Sequence, residues 1–114
     1  MAKVAKTITY EDNFNNFKTI LKEVDASEID GELAFQFNIV GDGEGIFYVK
    51  VKDGQLSVEP YEYYDRDAVF IATAKVFTKM AEGKLNPVVA FTTGKLKVEG
   101  NLDKARAIEK IVTK

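Results

Sequence analysis

Gly83-Lys84-Leu85-Asn86-Pro87-Val88-Val89-Ala90-Phe91-Thr92-Thr93-Gly94-Lys95-Leu96-Lys97-Val98-Glu99-Gly100-Asn101-Leu102 is the stretch that decides the fold. Gly83 ends one helix, because a glycine accepts the left-handed backbone that closes a helix at little cost. Asn86 is a natural N-cap and Pro87 a natural first helical residue. Val88, Val89, Ala90 and Phe91 then form an apolar helical turn, which Gly94 stops. Lys95 to Glu99 alternates, with Leu96 and Val98 on one face, and reads as a short strand. Asn101 caps a last helix, in which Leu102, Ala105, Ile108 and Ile111 or Val112 are expected to face inward.

Upstream, Phe14, Phe17, Leu21 and Val24 recur at helical spacing, with Ile20 beside them, and predict a helix over residues 10–24. Thr9 or Asp12 is its candidate cap. A polar connection from Asp25 to Gly31 comes next. The period then changes to two. Leu33, Phe35, Phe37 and Ile39 alternate with Ala34, Gln36, Asn38 and Val40, the mark of a strand with one buried face. Gly41 to Gly45 is a turn-rich loop. Phe47, Val49 and Val51 alternate with Tyr48, Lys50 and Lys52 in a second strand. Asp53-Gly54 is a preferred pair for a tight type I′ hairpin. Leu56 and Val58 begin a third strand, which Pro60 assigns to an edge because it lacks a donor. After the Tyr61–Asp67 segment, Ala68 to Ala74 reads as a fourth strand and Lys75 to Glu82 as a short helix. Val76, Phe77, Met80 and Ala81 lie on one side of that helix. The expected fold is α+β: five strands in a mostly antiparallel meander, with about four to five helices packed on one face. One domain over residues 1–114 is the simplest organisation.

Composition narrows the function. The chain has 114 residues, 46% apolar and 30% charged, enough for one domain with a real core. Its net charge of −2 argues against a nucleic-acid partner, which wants a basic surface. There is no cysteine and no histidine. Ordinary serine and cysteine triads and histidine-ligated metals are therefore excluded. The Asp65-Arg66-Asp67 and Asp42-Gly43-Glu44 groups are too poor in carboxylates for a calcium loop. No metal, no cofactor and no catalytic residue is expected. The Gly41–Gly45 loop joins two strands and opens no helix, so it is no phosphate cradle. The first residues lack an apolar run of signal-peptide length, and no run approaches a membrane span. A cytoplasmic protein is the expectation, with at most transient membrane contact. Lys50, Lys52, Lys95 and Lys97 alternate away from the core and read as a solvated strand face rather than a headgroup-binding surface. Tyr61, Tyr63, Val69 and Ile71 make the fourth-strand region apolar on its outer side as well, which suggests a homodimer there.

The pattern from Asp67 onward resembles the sterol carrier protein type two (SCP-2) family. The resemblance rests on Phe77 opening its helix, on Gly83-Lys84-Leu85-Asn86-Pro87, on Ala90-Phe91, on Gly94-Lys95-Leu96-Lys97-Val98, and on Gly100-Asn101-Leu102. The N-terminal helix and the Tyr48–Gly54 hairpin fit more loosely. Thr93 departs from the glutamine that members often carry. The resemblance implies a five-stranded sheet and an apolar tunnel between sheet and helices. It also implies non-enzymatic binding of a fatty acid, acyl-CoA, sterol or similar lipid. The implied lining is Phe35, Phe37, Phe47, Val49, Phe70, Phe77, Met80, Val88, Val89, Phe91 and Ile108. The rival expectation is a dimeric interaction or accessory module of the same fold with a filled core.

Overall fold

The computed structural model describes residues 9–27, 29, 31–62, 64 and 66–110. The first helix, α1, spans Tyr10–Leu21. Of the two candidate caps, Thr9 takes the position. Its hydroxyl accepts the Asp12 N–H, while the Asp12 carboxylate accepts the Thr9 N–H, each at 3.1 Å. This reciprocal pair satisfies two of the donors that a helix start leaves open.

The sheet is built from β1 (Glu32–Val40), β2 (Gly45–Lys52), β3 (Gln55–Glu59), β4 (Ala68–Thr73) and β5 (Lys97–Gly100), in the order β3-β2-β1-β4-β5. Asp53 and Gly54 both carry positive φ, 52° and 78°, as a type I′ hairpin requires. β3 lies at an edge and ends beside Pro60. The sheet is mostly antiparallel, as expected, but it is not a simple meander. β1 runs parallel to β4, Phe35 opposite Ala68 and Phe37 opposite Phe70, while the other three pairings are antiparallel. The physical reason lies in the connection after Pro60, which cannot extend the β3 ladder. The chain leaves the β3 edge and returns on the far side of β1, where it runs in the direction of β1.

The remaining helices are α2 (Ala74–Ala81), α3 (Pro87–Thr92) and α4 (Leu102–Ala105), the last continued by a 3-10 helix at Arg106–Lys110. Residues paired in register share one face, so Phe35, Phe37, Phe47, Val49 and Phe70 all point to the helical side. There they meet α1 and α2. Phe17 stacks on Phe47 at 5.2 Å between ring centroids, and Phe77 meets Phe37 edge-on at 5.3 Å. Phe37 also stacks on Phe47 and Phe70, and Phe35 meets Phe70 edge-on. These rings fill the space that a tunnel between the sheet and the first helices would need. Arrangements of this kind contribute about 0.5–1.5 kcal/mol per pair beyond burial.

Two polar side chains hold α1 on the β1–β2 turn and the start of β2. Asn13 Nδ2 donates to the carbonyls of Asp42 and Gly43, and the Tyr10 hydroxyl donates to the Ile46 carbonyl at 2.6 Å. Gly45 lies directly under the Tyr10 ring, where a Cβ would collide with it. Burial pushes the Tyr10 phenol above its ordinary pKa.

Candidate functional site

The last third of the chain builds a site at the β5 end of the sheet. α3 is short and strongly defined. Asn86 Oδ1 accepts the N–H of Val88 at 2.8 Å and of Val89 at 3.4 Å. At the other end Gly94 has φ 79°, and the N–H groups of Lys95 and Leu96 return to the Ala90 carbonyl. That closure is why β5 starts at Lys97 and not at Lys95. Ala90 is fully buried and fixes the helix to the body.

α4 is fixed by Asp67. Asp67 Oδ2 accepts the Ala34 N–H at 2.9 Å, Oδ1 accepts from Lys104 Nζ at 3.0 Å, and its carbonyl accepts the Asn101 N–H. One residue thereby ties the start of β4 to β1 and to the last helix. Asn101 Oδ1 caps α4 by accepting the Lys104 N–H. Ala105 and Ile108 face inward, as the sequence predicts. Leu102 does not: it is 56% exposed, because it is the first residue of α4 and points across open space toward α3. Ile111 and Val112 lie outside the described residues.

Between α3, β5 and the C-terminal helices runs an apolar groove of about 340 Å³. Buried Phe70, Leu96 and Ile108 lie deepest, with half-buried Val98 beside them. Pro87, Val88 and Phe91 form the α3 bank, and Leu102 and Ala105 the opposite one. Thr92, Arg106 and Glu109 bring polar groups to the rim. A much smaller void of about 30 Å³ lies beneath α1 and α2, among Phe17, Phe37, Phe47, Phe77 and Met80. It has room for about one water, but its walls are apolar and offer that water no partners. Ile108 lines both spaces.

The eleven expected lining residues divide accordingly. Phe70, Val88, Phe91 and Ile108 line the groove. Phe37, Phe47, Phe77 and Met80 surround the small void. Phe35 and Val49 are packed in the core with almost no exposure, and Val89 is 49% exposed on α3; these three line neither space. Pro87, Thr92, Leu96, Val98, Leu102, Ala105, Arg106 and Glu109 line the groove outside the expected set. Leu96, Val98 and Ala105 carried the signal, since periodicity assigned them to inward faces.

The residues expected at a homodimer edge are placed differently from one another. Val69 is buried within the chain, opposite Gln36 on one side and Glu99 on the other, and Ile71 is half-buried. Tyr61 is 65% exposed, and Tyr63 and Asp65 lie outside the described residues. Lys50 pairs with Glu32 at 3.1 Å across the β1–β2 ladder. Among the described residues no group of three acidic side chains converges on a metal site, and no helix is long and apolar enough to cross a membrane.

The model of the SCP-2 sterol transfer family matches residues 17–113. Hydroxysteroid dehydrogenase-like protein 2 of Rattus norvegicus is 36% identical over 83 residues, 72% of this chain. The chain spans only 16% of the length of that relative. Sterol carrier protein 2 of Arabidopsis thaliana is 36% identical over 78 residues, 65% of this chain and 63% of the plant protein. Among solved structures, the apo form of sterol carrier protein 2 from Yarrowia lipolytica superposes with a TM-score of 0.60 at 26% identity, covering 97% of this chain and 94% of the yeast protein.

Proposed function

The chain belongs to the SCP-2 sterol transfer family, and we propose that it is a non-enzymatic carrier that shelters one lipid in the groove between α3, β5 and the C-terminal helices. The observation that carries this reading is the groove itself. At about 340 Å³ it sits at the low end of the range for small-molecule sites, which favours a single acyl chain of a fatty acid or acyl-CoA over a bulkier sterol. Burying about 14 methylenes at ~0.8 kcal/mol each sets a ceiling near ~11 kcal/mol. The lost freedom of ligand and protein comes off that figure, leaving micromolar binding within reach without any specific polar contact.

In this reading Phe70, Val88, Phe91 and Ile108 touch the chain, with Leu96 and Val98 as added floor. Phe37, Phe47, Phe77 and Met80 meet it only if the Ile108 side chain turns and joins the small void to the groove. The protein acts in this role as one domain in the cytoplasm. The alternative reading, a dimeric accessory module, draws on the filled aromatic interior and on the exposure of Tyr61.

Native mass spectrometry of the gently purified protein, with palmitate and palmitoyl-CoA then offered to it, separates the two. A lipid adduct at near-stoichiometric level supports the carrier. A clean apo mass with no uptake, at twice the monomer mass, supports the accessory module.

A further inference from the structure

Four of the exposed large apolar side chains lie on α3 or face it across the groove. Val88, Val89 and Phe91 of α3 are 52%, 49% and 49% exposed, and Leu102 across the groove is 56% exposed. Large apolar side chains grouped in this way on a surface mark a contact region. The helix that carries three of them does not yield easily, since Asn86 caps it, Ala90 is buried, and the Lys95 and Leu96 N–H groups close it.

The charge around α3 says what the contact is with. From Gly83 to Val98 the chain holds Lys84, Lys95 and Lys97 and no acidic residue, in a protein of net charge −2. Lys84 and Lys95 stand at the two ends of α3. Lys84 has Glu82 at 3.6 Å as an exposed, weakly held partner. Glu82 and Glu99 flank this stretch, and the one acid that lines the groove, Glu109, belongs to the opposite bank together with Arg106. An apolar tip between lysines suits the boundary between headgroups and acyl chains. There the side chains of Val88, Val89 and Phe91 enter hydrocarbon and the lysine ammoniums stay with anionic headgroups. We infer that α3 docks the protein on an anionic bilayer, with the groove opening toward the lipid phase. The inference concerns a surface and stands apart from the carrier reading, although a carrier gains from it a path for its lipid.

Co-sedimentation of the full chain with phosphatidylcholine vesicles, with and without phosphatidylserine, tests it. Binding is expected on the anionic vesicles, falling as salt is raised. Lys95→Glu is expected to lower the partition by about fivefold or more. Its uptake of palmitate in vesicle-free buffer should be unchanged, because Lys95 is exposed and does not line the groove. Val89→Asp is expected to lower vesicle binding further, with circular dichroism and thermal melting confirming the fold. Equal binding to neutral and anionic vesicles overturns the inference. So does unchanged binding by both variants. A dimer seen by light scattering that Val89→Asp dissolves also overturns it, since the occupant of the α3 face is then a second copy of the chain.

Discussion

Val98→Trp places a large ring in the groove and separates a site at β5 from a tunnel under α1 and α2. Val98 is half-buried on the inner face of β5, opposite Phe70, and aromatic residues are well suited to strands. The change adds about seven heavy atoms to a wall of the groove, taking the place of a similar number of ligand carbons, so up to about 5.6 kcal/mol of chain burial is forfeited. Palmitate should bind more than about a hundredfold more weakly. Stability should hold within about 1.5 kcal/mol, because the ring enters open space and not a filled core. Met80→Trp is the control. Met80 is 3% exposed and borders a void of only about 30 Å³. The same ring there overpacks the core and should cost about 1–3 kcal/mol. In a melting curve that is about 4–8 °C per kcal/mol for a chain of this size. Fluorescent fatty-acid displacement and thermal denaturation on the two variants are the assays. If Val98→Trp binds palmitate normally, while Met80→Trp is stable and cannot bind it, the lipid lies under α1 and α2 and the reasoning from the groove is refuted.

Asn86→Ala removes the acceptor for the Val88 and Val89 N–H groups and should cost about 0.5–2 kcal/mol by thermal denaturation. Fraying of α3 should weaken palmitate binding as well. Asp67→Ala leaves the buried Ala34 N–H without its acceptor and should cost about 1–3 kcal/mol in urea unfolding, while Asp67→Asn, which keeps an acceptor oxygen, should recover most of it. The exposed ion pair with Lys104 adds little to that figure. Tyr10 gives the pH prediction. Its phenol titrates higher in the folded state than in the unfolded chain, so the folded state holds the extra proton at alkaline pH. Stability should be flat below the ordinary tyrosine pKa and fall as pH rises through the folded value. Tyr10→Phe should reduce that alkaline slope, read from urea midpoints across the range.

The local rules were legible in the chain because they act over a few residues. Asn86 before Pro87 and Asp53 before Gly54 each specify a backbone conformation, and each takes it, while the start of α1 left Thr9 and Asp12 as alternatives and the structure chose Thr9. The direction of β4 was not legible, since nothing in Ala68–Thr73 says which neighbour it will choose; the parallel pairing is decided by the return of the chain past β1. Burial of Ala34 and Gln36 escaped for a related reason. Alternation suggests an open outer face, but a central strand has neighbours on both sides, and Gln36 sits between Tyr48 and Val69. In the site, the apolar character of Val88, Val89 and Phe91 was plain, and their exposure was not. Periodicity reports which residues share a face. It does not report whether that face meets protein, ligand or water.

The parallel pairing of β1 with β4 also governs how the protein comes to exist. β1, β2 and β3 close through short turns, so their contacts can form early at small entropic cost. The Phe35–Ala68 register closes only after the whole hairpin pair and the Pro60–Asp67 return are in place. Apart from Phe70 of β4 itself, everything that makes the groove comes after that step, because α3, β5 and α4 lie beyond β4 in the chain. On a ribosome, the aromatic layer of β1 and β2 emerges and waits for Phe70 and Phe77, exposed, until the second half arrives. A mutation that slows the late closure therefore endangers yield before it touches the stability of the finished protein, and a chaperone would have most to do in that interval.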